Sequence, residues 1–372
     1  MTWPLRPTGA LAVALLCACS GSTTSDSATP SDSATTTDSW DTGYTAPAQA
    51  SWSDGILELD QQASLGPGST WTGIAADDDR IYVSLKHQNH LWLHTLDHDL
   101  NDIGDRIQLT FDDDVPDGMN LADHKLLRLG ERLYVAWNPN KQNDLFIVAY
   151  DLDGNRIGDQ VTVESDTDTN TADMHLTTDG NSITLIYGDA GLTRRLAVLD
   201  RDLALVQGPF EITLAGKIDQ LGTTIHSNGR WYMFGGDETS QNLTVSFFDD
   251  AWTPEDPFTK VLVAGEPGEW NFFPSGADRS ADFGIWSTVY NYIPPGGDYE
   301  NDSTLELAVM DQDLNWSQHF DVGDAEYHAG DVTSRGACVF VAAASGNVTV
   351  DRYRIKPPDN WEGDPPVCGS GG

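Results

Sequence analysis

Short apolar runs recur between residues 51 and 358, and a polar turn precedes each of them. Representative runs are RIYVSL, RLYVAW and SITLIY, in which β-branched and aromatic side chains dominate. The first apolar residues after the six turns are Ile81, Leu133, Ile183, Trp231, Phe283 and Val339. No comparably long stretch carries apolar residues at helical spacing, so the pattern predicts strands throughout. A recurrence at intervals of about 50 residues is typical of a repeat architecture.

A second apolar strand in each of the first five repeats ends in an acidic turn. The sequences are LWLHTLDHDLN, LFIVAYDLDGN, LAVLDRDLA, LTVSFFDDA and LELAVMDQDLN. Another short strand, such as RIQLT, QVTVES or FEITL, follows the turn. Each repeat therefore predicts four short antiparallel strands, which is the composition of a β-propeller blade. The expected fold is all-β, a single β-propeller of about six four-stranded blades.

The two ends of the repeat region complement each other. The sixth repeat ends after VTVDRYRI and is one strand short, whereas residues 56–65 precede the first repeat and have no blade of their own. We expect this N-terminal strand to complete the last blade, because a closed ring removes the edges that invite association. Five blades are the alternative, since the unit at 268–323 is stretched by the insert NYIPPGGDYENDS. Tyr292 and Tyr299 of this insert, with Tyr290 directly before it, are expected to form a recognition loop over one face of the ring.

The hairpin YDLDGNRIG, which begins at Tyr150, resembles the LDxDGNxIG hairpins of secreted bacterial propellers. This resemblance implies an architecture and names no activity. Within the hairpin, Asp151, Asp153 and Asn155 alternate as the oxygen ligands of a calcium loop do, but the glycine and glutamate positions of an EF-hand are not matched. Asp and Asn are also favoured in tight turns, and we interpret these residues as turn formers.

The N-terminus reads as an export signal. Arg6 and the amino group precede a short apolar stretch from Ala10 to Leu16, which is too short to span a bilayer as a helix. The following LCAC resembles the bacterial lipobox, and that resemblance implies that Cys19 carries the lipid chains, such as palmitate, that anchor a lipoprotein. An ordinary signal peptide cut near Ala18 is the alternative. Ser20 resembles the residue that directs lipoproteins to the outer membrane, so we expect a lipid-anchored protein of the cell envelope, periplasmic or surface-exposed.

These features divide the chain into four parts. Residues 1–18 are the signal peptide, 19–50 a disordered Ser/Thr/Asp-rich tether, 51–358 the β-propeller and 359–372 a C-terminal tail. The tether has almost no aliphatic residue to bury, so it cannot offset the entropy of ordering. We interpret it as a flexible spacer, with a glycosylated stalk as the alternative.

The chain is strongly acidic, with 20 Lys and Arg against 58 Asp and Glu and a net charge of −38. Such a field repels the phosphates of nucleic acids, which excludes nucleic-acid binding. The same field favours cationic partners. No cofactor is predicted, and a divalent cation is the alternative that the charge leaves open.

The remaining cysteines, Cys338 and Cys368, lie near the C-terminus. In an exported protein we expect them to form a disulfide that ties the tail to the last strands. The sequence contains no Gly-rich phosphate loop, no GxSxG elbow and no HExxH motif. Phosphoryl transfer, α/β-hydrolase chemistry and zincin chemistry therefore have no support.

Candidate site residues come from position in the fold, because the loops that enter the innermost strands converge around the central channel. Asp123 and Asp173 occupy equivalent places in neighbouring repeats, ten residues before Leu133 and Ile183. Two carboxylates near one axis, with Glu269 as a third, have the geometry of an acid and base pair in a glycoside hydrolase. A polar ring that lines the channel without catalysis explains the same positions.

Further residues on these loops are candidates for binding a partner. They are Trp71, His124, His175, Trp270, Glu326, Tyr327 and His328. Three of them, the histidines, would suit a transition metal if they converged. Histidines at strand starts are more often hydrogen-bonding residues, and no metal site is assigned.

Two functions follow from these observations. The first is a membrane-anchored lipoprotein whose acidic propeller binds or scaffolds a protein or glycan partner. The second is a propeller-type glycoside hydrolase or other polysaccharide-active enzyme that uses paired carboxylates. The absence of a catalytic motif favours the binding module, and whether the protein is an enzyme stays open at this stage.

Overall fold

The computed structural model describes most of the region predicted to fold. The described residues are 50–111, 114, 121–139, 144–164, 174–188, 193–213, 218–220, 223–237, 242–264, 272–294, 303–324, 330–364 and 367–368. The predicted signal peptide and the tether up to residue 49, with the lipidation candidate Cys19, lie outside these ranges. No helix in the described ranges is long and apolar enough to cross a membrane.

The described residues form 25 strands, arranged in six antiparallel sheets. Blade 1 consists of β2 (Ser69–Ala76), β3 (Arg80–His87), β4 (His90–Asp97) and β5 (Ile107–Gln108). Blade 2 consists of β6 (Leu121–Leu129), β7 (Arg132–Pro139), β8 (Leu145–Asp151) and β9 (Arg156–Glu164). Blade 3 consists of β10 (His175–Thr178), β11 (Ile183–Tyr187), β12 (Thr193–Leu199) and β13 (Leu205–Thr213).

The second half of the ring repeats this arrangement. Blade 4 consists of β14 (Ile218–Gln220) and β15 (Thr224–Ser227), which both pair with β16 (Arg230–Asp237), followed by β17 (Asn242–Phe248) and β18 (Pro254–Val263). Blade 5 consists of β19 (Phe272–Arg279), β20 (Trp286–Tyr292), β21 (Thr304–Met310) and β22 (Trp316–Asp324). Blade 6 consists of β23 (Gly330–Arg335), β24 (Cys338–Ala344), β25 (Asn347–Ile355) and β1 (Leu57–Pro67). The predicted six-bladed propeller is confirmed.

The N-terminal strand closes the ring, as the sequence predicted. β1 pairs antiparallel with β25, from Leu57 opposite Ile355 to Pro67 opposite Asn347. The ring therefore ends on a continuous sheet, and the outer edge of β25 is covered.

Adjacent blades stack face to face, and the hydrophobic core lies between them. The core clusters join neighbouring blades, as where Tyr82 of blade 1 packs with Val135 and Trp137 of blade 2. The middle strands are buried on both faces, which explains why β24 reads CVFVAAA and is buried at every position. A strand that meets a blade on each side needs apolar side chains on both faces, so strict alternation disappears.

The acidic turns are hydrogen-bonded hairpins with one repeated geometry. In blade 5, Oδ1 of Asp311 accepts the backbone N–H groups of Asp313 (2.9 Å) and Asn315 (2.8 Å). The same bonds recur around Asp97, Asp151, Asp200 and Asp249. The residue three after each of these aspartates has a positive φ, and these residues are Leu100, Gly154, Leu203, Trp252 and Leu314. The first carboxylate of each turn is thus occupied by backbone donors.

Two local predictions in blade 5 are wrong. Strand β20 begins at Trp286, and Phe283 lies inside the preceding turn, which is closed by the Ser280 N–H group and the Ile285 carbonyl (2.9 Å). Phe283 is apolar because it is fully buried in the core and not because it starts a strand. Tyr290 and Tyr292 belong to β20 and not to a loop, and Tyr299 lies outside the described residues.

We name the two ends of the ring by their connections. The turn face carries the connections between the first and second and between the third and fourth strands of each blade, such as residues 77–79 and 98–101. The loop face carries the other connections. Both ends of the folded domain leave from the turn face, where the Trp52 indole N–H donates to the Lys356 carbonyl (2.8 Å). Cys338 and Cys368 form a disulfide across a Cα–Cα distance of 5.2 Å.

Candidate functional site

The inner edge of each blade faces the central channel, and its backbone polar groups have no further strand to pair with. Buried N–H and C=O groups need partners, since an unsatisfied group costs about 1–3 kcal/mol. The first strands of the blades, β2, β6, β10, β15, β19 and β23, together enclose this channel. Polar side chains on these strands satisfy backbone groups of neighbouring blades.

Asp123, the described member of the predicted catalytic pair, bonds to the next blade. It lies on β6 and is 3% exposed. Its Oδ2 accepts the backbone N–H of Met174 (3.3 Å), which directly precedes β10 of blade 3. Its own N–H donates to the side-chain oxygen of Asn138 (3.0 Å). Asp123 thereby ties the inner strand of blade 2 to that of blade 3.

Two further carboxylates make the same kind of bond elsewhere in the ring. Asp331 of blade 6 accepts the backbone N–H of Ile74 in blade 1 at Oδ2 (3.2 Å). Asp278 of blade 5 accepts the backbone N–H of Ser334 in blade 6 at Oδ2 (2.5 Å). The hydroxyl of Thr333 lies 3.4 Å from the same oxygen of Asp278. In each case a side chain of one blade satisfies a backbone donor of the following blade.

The two described histidines of the predicted binding set are also buried between blades. The Nε2–H of His175 in blade 3 donates to the carbonyl of Thr224 in blade 4 (3.0 Å). His124 of blade 2 hydrogen-bonds to the backbone at Ser84 in blade 1. Burial lowers the pKa of each imidazole to about 3, so both rings are neutral at physiological pH.

Lys125 crosses the channel. Its Nζ donates to the backbone carbonyl of Ser275 (2.8 Å), and the lysine is 4% exposed. Lys125 belongs to blade 2 and Ser275 to blade 5, which are opposite in a ring of six. The ammonium group therefore links two blades that share no sheet contact, and its charge acts on Asp331 nearby.

Close approach of the inner strands places glycine where a side chain would collide. A Cβ on Gly276 of blade 5 would lie 2.2 Å from Oδ1 and 2.7 Å from Cα of Asp331 in blade 6. A Cβ on Gly73 of blade 1 would lie 2.7 Å from the backbone nitrogen of Leu126 in blade 2. Small residues at these positions let the carboxylates reach the neighbouring backbone.

Burial raises the pKa of Asp278 and of Asp331 to about 6. In both cases loss of hydration is the main cause, and the backbone N–H donors oppose it. Lys125 also lowers the pKa of Asp331, whereas Asp278 has no ion pair among the described residues. The charge of Lys125 thus acts on Asp331, whereas the cation that interacts with Asp278 is the adjacent Arg279.

A cavity of roughly 270 Å³ occupies the channel between these groups and the turn face. Lys125, His175 and Asp331 lie at its deep end, and Arg128, Thr178 and His226 lie where the inner strands end. All six inner strands contribute to its lining, which includes both polar groups and the apolar side chains of Ile74, Leu126, Ile225 and Val332. The hydrogen bonds that Asp123, His175 and Asp331 make between blades separate this cavity from the loop face, where the predicted binding residues lie.

The remaining predicted site residues fall into two groups. Trp71 lies on β2 at an irregular pairing between Ser69 and Thr72, with a positive φ of 77°. Asp173, Glu269, Trp270, Glu326, Tyr327 and His328 lie outside the described residues. The described part of the chain contains no group of three or more His, Cys, Asp or Glu side chains placed to hold a metal ion.

Sequence reasoning missed Lys125 and Asp278 as channel residues. Lys125 stands in LADHKLLRL, where a lysine interrupts an otherwise apolar strand. Asp278 follows SGA in a segment that looks like a surface turn. Lys125 could have been found as a charge within an apolar strand. The role of Asp278 could not, because its place in the channel depends on where the blade 5 turn begins.

The comparisons with known proteins show the fold. No family model matches the sequence, and no curated protein matches it. A DUF4623 family protein from Bacteroides eggerthii superposes with a TM-score of 0.51 at 10% identity, over 82% of this chain and 78% of that one. A luciferin-regenerating enzyme superposes with a TM-score of 0.50 at 12% identity, over 83% of this chain and 98% of that one. At these identities the likeness concerns the β-propeller architecture alone and carries neither activity nor substrate.

Proposed function

We propose that this chain is a lipid-anchored binding module of the cell envelope, whose acidic propeller binds a cationic segment of a partner protein. The proposed anchor is Cys19, on the strength of the lipobox resemblance. The observation that carries the binding function is the environment of Asp123, whose carboxylate is buried and bonded to the Met174 backbone. A general acid or base must reach the substrate proton that it transfers, so the bond of Asp123 to the backbone supports binding over catalysis by this carboxylate.

The position of the chain termini is compatible with such an anchor. Residue 50 leaves from the turn face beside the tail, where Asp359 bonds to the Ser53 backbone N–H (3.0 Å). As a flexible coil, the tether of residues 20–50 would have a root-mean-square span of about 30 Å. The propeller would then stay within a few nanometres of the membrane while remaining free to turn.

Charge selects the class of partner. A protein with a net charge of −38 attracts basic segments over a distance of about one Debye length and repels anionic polymers. A basic protein segment fits this field better than an uncharged glycan, for which the long-range attraction is lost. Glycan binding and glycan hydrolysis are therefore the outcomes that the experiment must exclude.

The test uses the full chain with Cys19→Ala, which we expect to be exported and released from the membrane. This protein is titrated with a lysine decamer and with a glutamate decamer, and it is assayed for hydrolysis of a panel of neutral polysaccharides. We expect the lysine decamer alone to bind, with an affinity that falls at least tenfold between about 50 and 200 mM salt. Hydrolysis of a polysaccharide that Asp123→Asn abolishes would overturn the proposal, and so would retention of the Cys19→Ala protein in the membrane.

A further inference from the structure

The cavity at the turn face contains groups that the fold does not use. His175 and Thr224 line it and are 8% and 2% exposed. With Nε2–H of His175 donating to a carbonyl, the Nδ1 lone pair is left as an acceptor, and it has no partner among the described residues. The hydroxyl oxygen of Thr224 likewise has no partner there. Buried polar atoms without partners are rare in folded proteins and indicate a ligand or bound water.

Most charged groups of the cavity have a partner of opposite charge within or beside it. Arg128 lies near Asp77 (4.0 Å), and His226 bonds to Asp250 (2.7 Å). At the deep end, Lys125 offsets Asp331, as described above. Asp278 is the remaining carboxylate. It has no ion pair among the described residues, and the adjacent Arg279, whose charge interacts with it, places its guanidinium over the ring of Trp286 (5.1 Å from the centroid).

The wall between these polar groups is apolar. Ile74, Leu126, Ile225 and Val332 lie along the channel between its deep end and the turn face. Such a wall can cover the methylene stem of a long side chain while its charged end meets a carboxylate. An anion is disfavoured here by Asp278, by Asp331 and by the net charge of the chain.

We propose that this cavity binds a primary ammonium group on an aliphatic stem, the side chain of a lysine in the basic partner. The Thr224 hydroxyl and His175 Nδ1 accept ammonium protons, and the negative charge of Asp278, whose oxygens accept the Ser334 and Arg279 N–H groups, attracts the ammonium group into the cavity. The stem packs against Ile225 and Val332. This inference rests on the proposed function and specifies the group that the propeller recognises.

The test compares two small probes with the Cys19→Ala protein. Nα-acetyl-lysine amide carries the ammonium group, and Nα-acetyl-norleucine amide carries a similar stem without it. We expect the lysine probe to bind, and the norleucine probe to bind at least tenfold more weakly. Equal binding of both probes, or binding of neither, would overturn the inference.

Three variants assign the site. Thr224→Val removes a hydroxyl that makes no hydrogen bond in the described structure. It should therefore leave the melting temperature unchanged and lower the affinity for the lysine probe at least threefold. Asp278→Asn keeps an oxygen that accepts the Ser334 N–H, and it should lower the affinity for the lysine probe at least tenfold. Asp313→Asn removes the same charge from an exposed turn on the same face and should change affinity by less than twofold. The inference is wrong if Asp278→Asn and Asp313→Asn have equal effects.

Failure of this inference is distinguishable from failure of the proposed function. If the lysine decamer binds equally well to the wild-type cavity and to Asp278→Asn, the propeller binds basic segments at another surface and the cavity plays no part. If the decamer does not bind at all, the proposed function itself fails.

Discussion

At the scale of single residues, the polar groups nearest the axis serve the backbone of the next blade. Asp123, Asp278 and Asp331 each accept an N–H group across a blade boundary, and His175 donates to a carbonyl in the same direction. A catalytic carboxylate and a structural one look alike in sequence, because both are acids near the start of an inner strand. The distinguishing partner is a backbone N–H in another repeat, which no side-chain pattern reveals.

The buried carboxylates should make stability depend on pH in an unusual direction. Asp331 has a folded pKa of about 6, above its ordinary value of 3.8, so the folded chain binds this proton more tightly than the unfolded chain. The contribution of Asp331 to stability is therefore greatest below pH 3.8 and is lost as the pH rises through 6, with a limiting slope of about 1.4 kcal/mol per pH unit.

The measurement is the melting temperature between pH 4 and pH 7.5 for wild type, Asp331→Asn and the control Asp105→Asn, which changes an exposed carboxylate. Other groups of the chain, Asp278 among them, also titrate in this range, so only the difference between variants is interpreted. We expect Asp331→Asn to gain stability relative to wild type as the pH rises, and the melting temperature of Asp105→Asn to follow that of wild type. Parallel curves for Asp331→Asn would contradict the assignment.

At the scale of elements, the acidic hairpin is the repeated unit that the sequence revealed most clearly. The first aspartate of each turn accepts two backbone N–H groups. The fourth residue is Leu, Trp or Gly in a left-handed conformation, and the Leu and Trp side chains are buried in the core. The sequence identified the turns but not the different roles of their two acids. That difference comes from the direction of the N–H groups, which follows from the left-handed residue.

Asp311 and Asp313 of the blade 5 turn should contribute differently to the free energy of unfolding. Asp311→Ala removes an acceptor of two N–H groups and should lower the free energy of unfolding by about 1–2 kcal/mol. Asp313→Ala leaves those bonds in place and should change it by less than about 0.5 kcal/mol. Denaturant unfolding of both variants measures the difference. Equal losses would show that the turn is held by something other than the Asp311 carboxylate.

The start of β20 was predicted incorrectly, because an apolar residue of the preceding turn was taken for the first residue of the strand. Phe283 is apolar and follows a polar turn, as the first residue of a strand does in the other blades. Here the turn extends to Ile285, and Phe283 packs into the core and near the ring of Trp361 (5.9 Å). An apolar residue in a turn is indistinguishable from one in a strand until its tertiary contact is known.

At the scale of the whole molecule, the ring was predictable and the channel was not. Six repeats at similar spacing and one displaced strand specify a closed propeller, because each repeat is one blade and the last blade must be completed. The channel brings together residues far apart in sequence, such as Lys125 and the Ser275 carbonyl. Which residues contact each other across the channel depends on the number of blades and on the register of their inner strands. Both must be known before the side chains of the channel can be placed.

The central claim is that side chains of one blade hold the inner backbone edge of the next, and backbone amide exchange tests it directly. In the wild-type protein we predict slow exchange at the Ile74, Met174 and Ser334 amides, which donate to Asp331, Asp123 and Asp278. In Asp331→Ala, exchange at Ile74 should accelerate by at least tenfold more than exchange at Met174. Exchange of Ile74 at the rate of an open amide in the wild type, or an equal response at Ile74 and Met174 in the variant, would contradict the account.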